Sequence, residues 1–526
     1  MILLKSLIQP IYHSSKEDTW TGVYWSKVEK TVENLQQRIT KAAERGNYRK
    51  VRNLQRLLTK RSLSASLKAV RIVAKKNSWK KKPGIDKQLW TTPELKLQAA
   101  LELRNKLDVK PLKNFYIPST NGSPWQVGLL SISNGAHQAL WNMALLPCVE
   151  ATSDPQSYGF RPDRSCWDAN AQIRTLLNKQ NSPQWVLNAN IEKSFAKINH
   201  YWLVNHTPMK TNVLKSWLKK EYVEKKNTGL FFMEKNTTQG DVFSPTLANH
   251  TLNGLEECAK KIELCSIPQI ERSEIPQIAL WDRASLDPTA QRRTIPPNSS
   301  KHLKNKFKHG YAKRRPKGNQ TKKETCINVV RYANDLIVTG RSQRQLERVK
   351  KSIKEFLAPR GLRINEEKTS ILHISQGFEF LGWTFRKYSN GKFLCKISNQ
   401  SILKHRNEIK NLIQTIHQPE ILTTKLNHKI RSWMNYHRCA NNIWNVWSSM
   451  NQYLYERLMK WGLRRHGKKT LKWVLNKYWK NINGCWTFTG TNQYKNNYKL
   501  VKYDLPKKKI LARRLCEAQS PRHSNG

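Results

Sequence analysis

Arg331-Tyr332-Ala333-Asn334-Asp335-Leu336-Ile337-Val338-Thr339-Gly340 is the stretch on which the fold turns. Apolar and β-branched residues run from Ile327 to Thr339 and are interrupted by a polar Asn-Asp pair, which predicts two short strands joined by a tight hairpin. Taken alone, that is an ordinary hairpin with a polar turn. Working outward, Trp185-Val186-Leu187 and Leu112 to Pro118 have the same strand-like composition, the second followed by an Asn121-Gly122 turn. Between these segments, His137 to Val149 and Pro245 to Lys261 read as helices. Strands and helices alternate irregularly, so the fold class is α+β and not a doubly wound sheet.

The flanks are helical and basic. Val28, Val32, Leu35 and Ile39, then Val51, Leu54, Leu57 and Leu58, recur at helical spacing between Trp25 and Lys76. Lys80-Lys81-Lys82-Pro83-Gly84 breaks this pattern with an exposed turn. Beyond Ser401 the helical spacing returns, in Leu412, Ile416, Ile421, Leu426 and Ile430, then Trp433, Tyr436, Leu454, Leu458 and Trp461. From Cys265 to Lys323 the composition shifts to Pro, Ser, Arg and Lys, and Ile-Pro-Gln-Ile occurs at Ile267 and at Ile275. Two short copies cannot stack into a solenoid, so this stretch is expected to be a flexible insertion, densely basic from Lys301 to Lys323. After Asp504 the chain is basic and is expected to fray.

Charge sets the class of partner. Across 526 residues, 94 Lys and Arg face 37 Asp and Glu, a formal charge of +57 that would repel itself without an abundant polyanion. Nucleic acid is that polyanion. The 19 Trp and 17 Tyr interleaved with the cations suit stacking beside phosphate contacts, although each aromatic is read first as core. A membrane surface is the rival, but no apolar run approaches the roughly 18 residues needed to span a bilayer. Nine cysteines, at 148, 166, 258, 265, 326, 395, 439, 485 and 516, are scattered singly. They imply a reducing compartment with neither a disulfide framework nor a zinc site. Met1 to Ser15 carries no cleavage-like signal and Glu17 and Asp18 follow, so no targeting peptide is expected.

The hairpin keeps ordered company. Ser157-Tyr158-Gly159-Phe160-Arg161-Pro162-Asp163-Arg164-Ser165-Cys166 comes first, then Trp185 to His200, then Thr238-Gln239-Gly240-Asp241-Val242-Phe243-Ser244-Pro245. After the hairpin come Gly361-Leu362, Asn365-Glu366-Glu367-Lys368-Thr369 and Phe380-Leu381-Gly382-Trp383, then Leu426-Asn427-His428-Lys429-Ile430-Arg431-Ser432-Trp433-Met434-Asn435-Tyr436-His437. In this order the blocks resemble those of the group II intron reverse transcriptases, over roughly residues 50 to 505. The resemblance implies a right-hand polymerase-like fingers and palm followed by a basic helical thumb, the maturase domain. It divides the chain into a basic helical N-terminal region (1–82), fingers and palm (83–400) with the insertion at about 265–325, a thumb (401–485) and a basic tail (486–526). After Trp486 only Cys516 and His523 remain of the residues on which the family's endonuclease depends, so that domain is not expected.

The departures bear on chemistry. Polymerases of this kind hold two magnesium ions with strand-end carboxylates. Here the family's metal-binding Asp position is Asn190, Ala196 stands where a second Asp is usual, and the first Asp of the hairpin is Asn334, leaving Asp335. An amide lends magnesium one oxygen and no charge. Asn121 to Leu130 also lacks the Lys and Arg with which the family contacts the incoming triphosphate. Glu192 and Asp241 lie nearby in sequence, but catalytic metals need placement within fractions of an ångström, and the retained Lys368 cannot complete a site with Asp335. Asn190, Asn334 and Asp335 are therefore read as a degenerate polymerase site. Magnesium is expected for an active member but not as a catalytic cofactor here, and Asp335 is the retained ligand.

RNA-binding equipment remains. Lys429, Arg431 and Arg438, then Arg464, Arg465, Lys468, Lys469 and Lys472, are candidate phosphate anchors beside Tyr436 and Trp473. Trp433 and Trp461 are assigned to helix packing and His437 to a structural role. The function expected is that of a maturase binding group II intron RNA and promoting its splicing, with the RNA's own active site performing the transesterifications. A polymerase supporting intron mobility and a general RNA chaperone stay open as alternatives, as does a homodimer. A Lys- and Asn-rich composition places the chain in an organelle that encodes it, chloroplast ahead of mitochondrion, with a bacterial cytoplasm as the other option.

Overall fold

The computed structural model describes residues 20–75, 88–104, 112–117, 125–129, 131–192, 197–218, 221–223, 230–232, 242–264, 327–482, 484–491 and 497–504. The expected insertion therefore lies outside the described residues, as do Ala196, Asp241, residues 118–124 and everything after Asp504.

The N-terminal stripe forms helices as its spacing predicts. α1 (Trp25–Glu44) buries Val28, Val32, Leu35 and Ile39. α2 (Tyr48–Arg56) starts on Asn47, whose side chain accepts from the Lys50 amide, and a π-helical turn at Leu57–Arg61 leads into α3 (Leu63–Lys75). These helices share one core with α4 (Pro93–Glu102) and with α5 (Ile132–Ala151). The helical region consequently does not stop at residue 82. Apolar residues on nearly every face of α5 demand partners all round, and Gln55 locks α2 to it by donating to the Ala144 carbonyl at 3.1 Å.

β1 (Leu112–Ile117) and β2 (Trp125–Leu129) are antiparallel. After α6 (Cys166–Leu177), β3 (Trp185–Asn190), α7 (His200–His206) and α8 (Thr211–Leu218), the chain returns through β4 (Glu221–Val223) and β5 (Leu230–Phe232) to make a sheet in the order β2-β1-β4-β5. The stretch read as one helix from Pro245 to Lys261 is two, α9 (Ser244–Leu252) and α10 (Leu255–Leu264). The break falls at Gly254, with φ +88°, where the Asp154 carboxylate accepts from the amides of Gly254 (2.9 Å) and Glu256 (3.3 Å) and so caps α10.

The decisive stretch is a hairpin, β6 (Asn328–Tyr332) and β7 (Asp335–Gly340). It joins β3 and β8 (Ser370–His373) in an antiparallel sheet of order β6-β7-β3-β8, with α11 (Gln343–Leu357) burying Leu346, Val349, Ile353 and Leu357 beneath it. β9 (Phe378–Phe380), β10 (Trp383–Lys387) and β11 (Phe393–Ile397) form a small sheet leading into α12 (Asn399–Thr415), α13 (Pro419–His437), α14 (Ile443–Arg465) and α15 (Leu471–Tyr478). The result is an α+β chain with a helical C-terminal region.

Residues from 486 onward were expected as a tail, and the described ones among them, 486–491 and 497–504, are built into the fold. β12 (Trp479–Ile482), β13 (Cys485–Thr491) and β14 (Asn497–Lys499) make an antiparallel sheet against α13. Gly490 lies so close to the start of α13 that a Cβ there would sit 2.7 Å from the Pro419 carbonyl. Asn427 on α13 donates to the Lys499 carbonyl and accepts from the Val501 amide, both at 2.7 Å. Tyr503 is buried, and its hydroxyl meets His405 Nε2 at 2.8 Å.

Two buried imidazoles sit here. His405 stacks on Trp433 at 4.3 Å, and His437 Nε2 meets the Ser401 hydroxyl at 3.0 Å. Burial pushes their pKa values down, to about 4 and about 3. The native state therefore holds both neutral, and the stability this contributes is complete above the unfolded-state value of about 6.5 and lost as pH falls from there toward 4. We expect acid unfolding across that window, with the slope of stability against pH reduced in His405→Gln, as measured by denaturant titration at a series of pH values. Separately, Asn427→Ala is expected to cost about 1–3 kcal/mol, because two backbone groups lose their partner.

Candidate active site and nucleic-acid interface

The sheet register places Asn190 on β3 directly opposite Asp335 on β7. The Asn190 Nδ2 donates to Asp335 Oδ1, an orientation fixed by chemistry because a carboxylate only accepts. Backbone bonds hold the end of β3 from both sides: Ile191 donates to the Asn334 carbonyl (2.9 Å), while Asn365 donates to the Asn190 carbonyl (2.8 Å) and Glu192 to the Arg363 carbonyl (2.9 Å). The three sequence-selected positions thus come together at one hairpin tip.

That tip is held from behind. Ala333 takes φ +55°, and Gly159 packs so tightly that a Cβ on it would lie 2.3 Å from the Ala333 nitrogen. Asn249 on α9 donates to the Gly159 carbonyl (2.9 Å) and accepts from the Arg331 guanidinium (3.1 Å). Arg331 also reaches the Ala333 carbonyl, at 3.3 Å. Complete burial lowers the Arg331 pKa to about 10, opposed by the Asp154 carboxylate, so the guanidinium stays charged at neutral pH. The need for Gly159, Asn249 and Asp154 could not be read from the sequence, since each acts through contacts distant along the chain.

The Asp335 carboxyl titrates above the ordinary Asp range because burial disfavours its charge, and the Asn190 hydrogen bond and the Lys368 ammonium oppose this without overcoming it. Among the described residues, this donor set does not fit two magnesium ions: one carboxylate stands at the tip, one of its oxygens is taken by an amide, and a lysine charge shares its field. Glu192 is paired with Lys197 at 3.0 Å. Among the described residues, no three His, Cys, Asp or Glu side chains gather as a metal site.

The eight candidate phosphate anchors separate. Arg431, Arg464, Lys468, Lys469 and Lys472 are exposed, and Lys469 lies 5.7 Å from the Trp473 ring. Three others make contacts within the protein, Lys429 and Arg465 from exposed positions. Lys429 pairs with Glu408 at 2.9 Å, Arg438 lies 4.2 Å over Trp167 where α13 meets α6, and Arg465 donates to the His417 carbonyl and lies over Trp461. Trp461 is buried and donates to the Ile416 carbonyl at 3.1 Å, and Trp433 is half-buried in its stack, so both pack helices. Lys410, Arg457 and Lys460 escaped the sequence reading although they come alongside Arg464. The signal was the spacing of Arg457, Lys460 and Arg464, which share one helix face. No helix among the described residues is long and apolar enough to cross a membrane.

Three family models match in succession: the N-terminal domain of reverse transcriptase over residues 20–103, reverse transcriptase (RNA-dependent DNA polymerase) over 117–267 and 301–385, and the group II intron maturase-specific domain over 402–479. The group II intron-encoded protein LtrA of Lactococcus lactis is 26% identical over 54% of this chain and 48% of that protein. Protein YkfC of Escherichia coli is 25% identical over 57% of this chain and 74% of that one. The putative COX1/OXI3 intron 2 protein of Saccharomyces cerevisiae is 23% identical over 72% and 47%. The chain thus spans about half the length of LtrA and of the yeast protein. Among solved structures, a Candida albicans telomerase superposes with a TM-score of 0.34 at 10% identity, over 70% of this chain and 64% of that one, too loosely to bear on the fold.

A folded-state carboxyl raised above its unfolded value costs stability as pH rises through the window between the two. Asp335→Asn, which keeps an acceptor for Asn190, is therefore expected to melt progressively higher than the parent chain as pH is taken from 3.5 to 7. Thermal denaturation of the two chains in parallel reads this.

Proposed function

Because this chain belongs to the group II intron reverse transcriptase and maturase family, we propose that it is a maturase that binds group II intron RNA and promotes its splicing. The observation that carries the reading is the maturase-specific domain, on which Arg431, Arg464, Lys468, Lys469 and Lys472 are exposed. Cations that neutralise phosphates release counterions, and binding that favours the native RNA fold draws the RNA toward it by mass action. The protein supplies counter-charge and binding energy while the RNA performs the transesterifications.

The proposal includes a polymerase site that does not turn over. The Asn190 amide bonded to Asp335 supports this, since it occupies an oxygen that a catalytic magnesium would need. We further propose an organellar home, chloroplast ahead of mitochondrion, on the strength of the Lys- and Asn-rich composition. A homodimer is decided by sedimentation velocity.

Splicing of candidate host-intron RNA at low magnesium, with and without the full chain, tests the main reading. Stimulation is expected from the parent chain and is expected to be lost when Arg431, Lys468, Lys469 and Lys472 are changed together to Glu. Tight binding without stimulation would favour a general RNA chaperone. For the polymerase site, primer extension on an RNA template is expected to give no product with the parent chain. Robust extension would return the chain to the mobility-supporting alternative, and the Asn190→Asp, Asn334→Asp double variant serves as the gain-of-function comparison.

A further inference from the structure

We propose that the groove between α12 and α14 is a pocket for a single unpaired nucleotide extruded from the bound RNA. It rests on the RNA-binding reading above and narrows it to one site and one ligand chemistry. The groove has a volume of about 360 Å³, within the range of small-ligand sites. Lys410 and Gln414 line it from α12, while Arg457, Lys460 and Arg464 line it from α14. No Asp or Glu contributes to the lining. Four cations without an acid repel one another until an anion enters, and a nucleotide phosphate is such an anion.

The floor argues for a base as well as a phosphate. Ile413, buried, and Leu463, half-buried, present apolar surface under the charged rim. A flat aromatic base covers such a floor, and the Gln414 amide can both donate to and accept from a base edge. A paired duplex exposes phosphates but keeps its bases stacked inside, so it could use the rim alone. The walls are held in place beforehand. The C-terminal part of α14 is tied to the chain leaving α12, by Trp461 to the Ile416 carbonyl and by Arg465 to the His417 carbonyl. Little ordering remains to be done on binding, which favours a defined ligand over a diffuse cloud of phosphates.

The full chain is titrated, at one salt concentration, with two RNA hairpins of identical stem, one fully paired and one carrying a single 2-aminopurine bulge. The bulged hairpin is expected to bind about tenfold tighter, in line with the contribution of one stacked base, with a change in 2-aminopurine emission. Gln414→Trp, which fills the groove from an exposed position, is expected to bring the two affinities within about twofold, with the paired hairpin bound as before. Replacing the bulge with 4-thiouridine and irradiating is expected to mark residues 410–414 or 457–464 of the parent chain, a readout independent of any variant's folding. Equal affinities, a preference that survives Gln414→Trp, or crosslinks confined elsewhere would overturn the pocket. Failure of the maturase reading is a different result, namely loss of splicing stimulation with the bulge preference intact.

Discussion

The charged guanidinium of Arg331, sealed inside the protein, is the constraint around which the central part of this chain is arranged. A buried cation is tolerated only where its surroundings supply acceptors and opposite charge. Asn249 and the Ala333 carbonyl supply acceptors, and Asp154 supplies charge while capping α10. Asn249 also carries the constraint to Gly159, so the loop before α6, the hairpin tip and α9 are fixed by one network. It is a scaffold able to hold strand-end side chains precisely.

Those amides change what the tip costs the protein. A cluster of carboxylates at the ends of β3 and β7 would repel, and would depend on bound cations for relief. With Asn190 and Asn334 in place, the remaining Asp335 is accommodated by a hydrogen bond and by Lys368. The hairpin tip is thus held together by hydrogen bonding and charge within the protein itself. Two of the candidate cations serve the protein's own packing, Arg438 over Trp167 and Arg465 at the His417 carbonyl.

Much of this was legible beforehand. The hairpin, the strand at Trp185 and the α1 stripe declared themselves through period and composition, because each buries one face against a single core. Asn190 and Asp335 were found by their place in ordered blocks, and the register brings them together. What escaped depended on partners far along the chain. The break between α9 and α10 needs Asp154, a hundred residues earlier. The β12–β14 sheet needs α13 to lie on, although the alternation in Trp486-Thr487-Phe488-Thr489 is itself a strand signal. Lys429 looks like a phosphate anchor until Glu408 on the neighbouring helix is seen beside it.

The bond between Tyr503 and His405 has a consequence for how the protein is made. His405 lies near the start of the helical region and Tyr503 almost a hundred residues later, with α13, α14 and the β12–β14 sheet between them. A ribosome delivers these residues in order, so α12 emerges long before the hydroxyl that completes its surroundings. Until then the His405 and Trp433 rings lack the covering that Tyr503 provides. The last helices can therefore pack early, but the covering of His405 and Trp433 waits for residue 503 to be made.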